Sequence, residues 1–139
     1  MATKPITEAL PFIHPDDMPD LYAIEGRGNC LAPRYVHGNK LVCDKRDRPE
    51  PGDVVVVHFT QEDAPRYGFP GWVKQLALPL PPADVDGLAG LIVVEQTNPP
   101  RRYVIPSNHV LAVHKVIGAA ERGGSSAPGT VRFRAKREA

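Results

Sequence analysis

The sequence predicts a mostly β protein: a strongly bent, largely antiparallel structure over residues 21–118 with almost no helix. Three observations carry this. Sixteen prolines in 139 residues are about twice the usual ~5% share, and proline removes backbone donors and breaks long helices. Short apolar runs recur between clusters of Gly, Pro and Asn, the pattern of strands joined by turns. The unbroken Val54-Val55-Val56-Val57 reads as a strand buried on both faces.

Taken in order, residues 1–20 read as an extended N-terminal arm punctuated by Pro5, Pro11, Pro15 and Pro19, with one short turn at His14–Asp17. Leu21–Ile24 is the first strand, ended by the glycines at 26 and 28. Leu41–Cys43 is the second and Asp53–Phe59 the third. Gln61–Gly71 holds Pro65, Gly68, Pro70 and Gly71 and reads as a loop. Trp72–Leu78 is a strand whose alternation sets Trp72, Lys74 and Leu76 on one face, Val73 and Gln75 on the other. Pro79–Gly90 is a loop, Leu91–Gln96 a fifth strand and Thr97–Arg102 a turn. Tyr103–Ile105 is expected to pair briefly, and Val110–Ile117 is the last strand. Residues 119–139 form a Gly/Ser-rich linker and basic tail with Arg132, Arg134, Lys136 and Arg137. Its Val131–Ala135 alternates apolar and basic residues, which predicts a strand that docks on a sheet edge of a partner or a second copy.

A chain of 139 residues suits one domain with a real core. A net charge of +1 gives no global pull toward nucleic acid or a membrane surface. No run of about 18 apolar residues is present, so no membrane span is expected. Residues 1–20 carry Asp16, Asp17 and Asp20 and lack the apolar centre of a secretory signal. Two cysteines far apart argue for a reducing compartment and against a disulfide scaffold or zinc site. The expected location is cytoplasmic, or a virion if the protein is phage-encoded.

Chemistry concentrates in residues 28–44 and at one lysine. Gly28-Asn29-Cys30-Leu31-Ala32-Pro33 is a small-residue turn bearing one nucleophile, followed by Gly38-Asn39 and the strand Leu41-Val42-Cys43-Asp44. Lys74 stands in a later strand, within Val73-Lys74-Gln75-Leu76. A nucleophile on a tight turn and a lysine on a strand is how a Ser-Lys or Cys-Lys dyad is built.

These pieces resemble the catalytic half of the LexA-like and UmuD-like self-cleaving peptidases, which share a fold with bacterial signal peptidases. The family runs Gly-Asp-Ser-Met-x-Pro, Gly-Asp, a strand ending in Val-Asp, Gly-Asp before an apolar strand, and Val-Lys-Arg-Leu. Here the counterparts are Gly28–Pro33, Gly38-Asn39, Leu41–Asp44, Gly52-Asp53 before Val54–Val57, and Val73–Leu76. Asn98-Pro99, Tyr103 and Pro106 match a later signature, and Val116-Ile117-Gly118 closes the last strand. The resemblance covers 21–118 and implies bent antiparallel sheets of the LexA/signal peptidase-like type, with Cys30 and Lys74 as the dyad. Cys30 stands where the family has its serine, Leu31 where it has methionine, and Asn29 and Asn39 where it has aspartates.

The change of nucleophile alters the proton logic. In a Ser-Lys pair the lysine must be neutral to take the hydroxyl proton. A free thiol is about two pKa units more acidic than a lysine amine, so a Cys-Lys pair rests as thiolate and ammonium. Such a pair is nucleophilic, with the lysine as donor to the leaving amine and main-chain N–H groups at the Cys30 turn as oxyanion donors. Sulfur is also larger than oxygen, and a pocket cut for serine loses attack geometry when about 1 Å matters.

The family cuts itself at an Ala-Gly or Cys-Gly well upstream of its nucleophile. Residues 1–29 contain neither, and Ala89-Gly90 follows the lysine. The arm also has no room for a helix-turn-helix domain. Three functions are therefore expected to compete. The first is a LexA/UmuD-like domain without self-cleavage, serving as a protein-interaction or structural module, phage or mobile-element encoded. The second is a Cys-Lys peptidase acting in trans. The third is a nucleic-acid-associated accessory protein that uses the basic tail. The partner is another protein or a second copy. No cofactor or metal is expected: His14, His37, His58, His109 and His114 lack ligand spacing, with His109 and His114 set on opposite faces of a strand, and all five read as surface or structural residues. Cys43 reads as a small core residue. No phosphate-cradling Gly-rich loop is present.

Overall fold

The computed structural model describes residues 13–26, 28, 30–32, 35, 37–82 and 90–120. Most of the N-terminal arm, the loop at 83–89 and the basic tail with its expected docking strand lie outside these residues.

Seven strands form one antiparallel sheet that is not closed into a barrel. They are β1 (Leu21–Glu25), β2 (Lys40–Asp44), β3 (Val54–Phe59), β4 (Gly71–Leu76), β5 (Leu91–Thr97), β6 (Pro100–Pro106) and β7 (Val110–Ala120). Their order is β1-β2-β7-β3-β4-β5-β6. The mostly β reading thus holds, and the expected strands fall within a few residues of the observed ones.

β3 is central because its sequence leaves no polar face to wet. All six of its residues are buried, and it divides two apolar clusters. Val54 and Val56 join Tyr22, Leu31, Leu41, Cys43 and Val116 on one side. Val55, Val57 and Phe59 join Leu76, Ile92, Val94 and Ile105 on the other. Each valine of this run excludes water from one cluster or the other, a gain of roughly 1.5–3 kcal/mol per fully buried side chain. Cys43 is fully buried, as its place in an apolar strand predicts.

Three local readings are corrected. The loop after β3 contains one turn of helix, α1 (Ala64–Tyr67), closed by Gly68 at φ +88°; proline fits its first turn because the N–H it lacks has no helical partner there. The brief pairing expected at Tyr103–Ile105 is a full seven-residue strand in register with β5 from Pro100 to Pro106. Prolines are tolerated at its ends because β6 lies at the sheet edge. His109 is not in a strand; it ends a 3₁₀ turn, Ser107–His109, and its Nδ1 lies 2.7 Å from the Tyr67 hydroxyl.

A polar cluster lies inside the first apolar layer. The Tyr22 hydroxyl is 2.8 Å from His58 Nε2 and 2.6 Å from His114 Nδ1. A hydroxyl carries one hydrogen, so it donates to one imidazole and accepts from the other. Burial pushes the His58 pKa down to about 4, and burial also lowers that of His114. Burial raises the Tyr22 pKa. Burial favours the neutral form of all three side chains, which the Tyr22 hydroxyl links under β1, β7 and β3, in keeping with structural histidines.

Candidate active site: a cysteine turn wedged between two strands

The β1–β2 connection is long, and it carries Cys30 across the sheet. Its base is closed by Gly26 N–H donating to Asn39 O at 2.8 Å and Gly38 N–H donating to Gly26 O at 2.9 Å. Gly28 takes φ +79°, a region closed to most side chains. Leu31 is 5% exposed and anchors the turn in the cluster that holds Tyr22 and Val54. The loop is therefore fixed by its own sequence: a glycine to reverse direction, then a leucine to dock.

The place where it docks is a gap in the sheet. β4 pairs with β3 from Gly71 to Gln75 but with β5 only at Gln75↔Glu95 and Leu76↔Val94. Continuing that register would set Val73 opposite Thr97, yet the pair is not formed. Cys30 stands between them instead. Its carbonyl accepts from Thr97 N–H at 2.9 Å, Asn98 N–H at 3.0 Å and Thr97 Oγ1 at 3.3 Å, and its sulfur lies 3.6 Å from Val73 O. Thr97 Oγ1 also donates to Ala32 O at 3.0 Å. The backbone groups freed by the splayed strands are taken up by the cysteine turn, as buried polar groups require.

Lys74 reaches the same gap from the other face of β4. It shares a face with Trp72 and Leu76, as the alternation predicts, and both of those pack in the second cluster while Val73 packs in the first. Lys74 is 8% exposed. Its Nζ donates to Cys30 Sγ at 3.3 Å and lies 4.9 Å from the Trp72 ring centroid and 5.4 Å from that of Tyr103. Two aromatic faces suit a cation withdrawn from water. Trp72 is held in turn by its indole N–H to Tyr67 O at 3.1 Å, and Tyr103 by its hydroxyl to Gln96 Oε1 at 3.3 Å.

The two residues singled out in the sequence, 44 positions apart, are thus brought together. Sequence reasoning missed the residues that hold them there. Thr97 gave no signal, because it acts through a strand mismatch. Trp72 was signalled by its place two residues before Lys74. Tyr103 was part of the later signature, without a role.

A small cavity of about 20 Å³ opens beside Cys30, lined by Gly26, Gly28, Leu31, Tyr35, Leu41 and Val73. A larger groove of about 480 Å³ lies between the β2–β3 turn and β7, over Arg46, Leu80, Ile92 and Val113. It contains neither Cys30 nor Lys74, so volume and the paired side chains point to different places. Among the described residues no group of His, Cys, Asp or Glu could hold a metal ion, and no helix is long and apolar enough to cross a membrane. No family model, curated protein or solved structure matches the chain.

Proposed function

We propose that Cys30 and Lys74 form a thiolate–ammonium dyad that cleaves a peptide or related acyl bond in another chain, on a domain of the LexA/UmuD-like type. The observation that carries this is the 3.3 Å approach of Sγ and Nζ around a lysine only 8% exposed. The order of motifs along residues 21–118 supports the family reading. Residues 1–29 contain no Ala-Gly or Cys-Gly, so no bond of the kind the family cuts lies within them.

In this reading the Cys30 sulfur attacks the carbonyl carbon, and main-chain N–H groups of the Cys30 turn hold the oxyanion. The C–N bond breaks as Lys74 passes its proton to the leaving amine, which leaves a thioester on Cys30. The neutral Lys74 amine then takes a proton from water, hydroxide adds to the thioester, and the thiolate departs.

The test is acylation by a small activated ester. An acetyl group should appear on Cys30, disappear in Cys30→Ala, and turn over more slowly in Lys74→Ala. An adduct on other residues alone, or none, removes the catalytic reading.

A second reading, an interaction module of the same fold, is favoured by the β5–β6 edge. Leu91 is 58% and Val104 57% exposed, and among the described residues β6 has no outer neighbour in the sheet. An edge of this kind accepts an added strand. Here the partner would be bound equally by wild type and Cys30→Ala, and lost with Val104→Lys.

A further inference from the structure

The surroundings of Cys30 suit an oxidation reaction as well as a hydrolytic one. We infer that hydrogen peroxide joins Cys30 to Lys74 through a single oxygen atom, giving an Sγ–O–Nζ cross-link that switches the dyad off. This deepens the proposed function as regulation of the same site, although the cross-link itself needs only the dyad's geometry.

Four observations converge on it. The Cys30 sulfur accepts a hydrogen bond from Lys74 Nζ at 3.3 Å, and the thiolate is the form of cysteine that attacks peroxide. The cavity of about 20 Å³ at the sulfur has room for an oxidant near the size of water, and in peroxide alone no second thiol is supplied from solution to trap the first oxidation product. The other cysteine is a poor resolving thiol: Cys43 is fully buried, its pKa is pushed up to about 12 by burial, and its sulfur faces Leu41 O. The nucleophile that remains at the sulfur is the Lys74 amine, held by Trp72 and Tyr103 at 3.3 Å from Sγ. Two single bonds meeting at a bent oxygen ask the lysine to close only part of that separation. A direct sulfur–nitrogen bond would require a larger movement of a packed lysine.

The chemistry balances with two equivalents of peroxide. The Cys30 thiol and one peroxide give the sulfenic acid and water, the oxygen staying on sulfur. The sulfenic acid, the Lys74 amine and a second peroxide then give S–O–NH and two waters. The nitrogen–oxygen bond replaces one N–H and the O–H, and sulfur and nitrogen together lose the four electrons that the two peroxides take up. Reduction by a dithiol reverses both steps and restores the thiol and the amine.

The experiment exposes the full chain to dilute hydrogen peroxide, digests it with trypsin and maps the peptides by mass spectrometry, before and after dithiothreitol. The expected product joins the peptides containing Cys30 and Lys74, carries one added oxygen and two fewer hydrogens, resists trypsin at Lys74, and separates on reduction. Cys43→Ala should still form it. Lys74→Arg should give only Cys30 oxidised to the sulfinic acid. Unlinked Cys30 oxidation in the wild type, a join without the added oxygen, a Cys30–Cys43 disulfide, or no oxidation of Cys30 would each overturn the inference. Cross-linking without acylation by the ester would remove the catalytic reading alone, and acylation without cross-linking would remove this one alone.

Discussion

Thr97 holds Cys30 in place by two donors to one oxygen: its main-chain N–H at 2.9 Å and its hydroxyl at 3.3 Å both point to the Cys30 carbonyl. The single hydrogen of the hydroxyl is shared with Ala32 O, which lies closer, at 3.0 Å. A strand end that would have paired with β4 is used to clamp the cysteine turn instead. Thr97→Val keeps the N–H bond and the side-chain shape but loses the one hydroxyl hydrogen shared between Cys30 O and Ala32 O. We expect a stability loss of about 1 kcal/mol, measured by urea unfolding, and slower Cys30 alkylation. An unchanged rate would mean that the clamp does not set the position of the sulfur.

Gly28 tests the same turn from the backbone. Its φ of +79° is costly for a residue with a side chain, while an added Cβ would meet no heavy atom within 4 Å. Gly28→Ala should therefore cost roughly 1–2 kcal/mol through backbone strain alone. The loss should be matched by lower Cys30 reactivity, because the strain falls next to the nucleophile. Gly52→Ala, at φ +97° and equally free of contacts, is the control: a similar stability loss with Cys30 reactivity intact.

The Tyr22 network makes a prediction about packing. Tyr22→Phe removes the hydroxyl that bridges His58 and His114 and leaves two buried imidazole nitrogens without it. The cost should be about 1–3 kcal/mol, larger than for Tyr→Phe at an exposed site. A loss within a few tenths of a kcal/mol in urea unfolding would show that water replaces the hydroxyl.

The same network sets an acid limit. His58 has a pKa of about 4 in the fold against 6.5 for an ordinary histidine. Between those values the unfolded chain binds a proton that the folded chain does not, so stability rises with pH across this window and is lost as pH falls. The shift corresponds to about 3 kcal/mol. His114, lowered by burial and by Lys45 nearby, acts in the same direction. Urea midpoints measured from pH 7 to pH 4 should fall in the wild type and fall less in His58→Gln.

These cases show what the chain states openly and what it conceals. β3 is legible because four consecutive valines admit no exposed face, and the turns are legible because Gly and Pro mark them. α1 is hidden because Pro65 and Gly68 look like loop residues until one is seen at a helix start and the other at its end. The Tyr22 network joins residues 36 and 92 positions apart, and no local periodicity encodes such a meeting. Cys30 and Lys74 were legible only as a pair of motifs. Neither spacing nor alternation shows that β4 and β5 part at Val73 and Thr97 to let the two side chains meet from opposite faces of the sheet.

The most direct test of the account is the alkylation rate of Cys30 at neutral pH, followed with iodoacetamide in Cys43→Ala so that one thiol reports. The dyad predicts faster labelling than a free cysteine in the unfolded chain, and a several-fold loss in Lys74→Ala with the fold retained by circular dichroism. Equal rates in the two folded proteins would show that Lys74 does not activate Cys30, and would contradict the central claim.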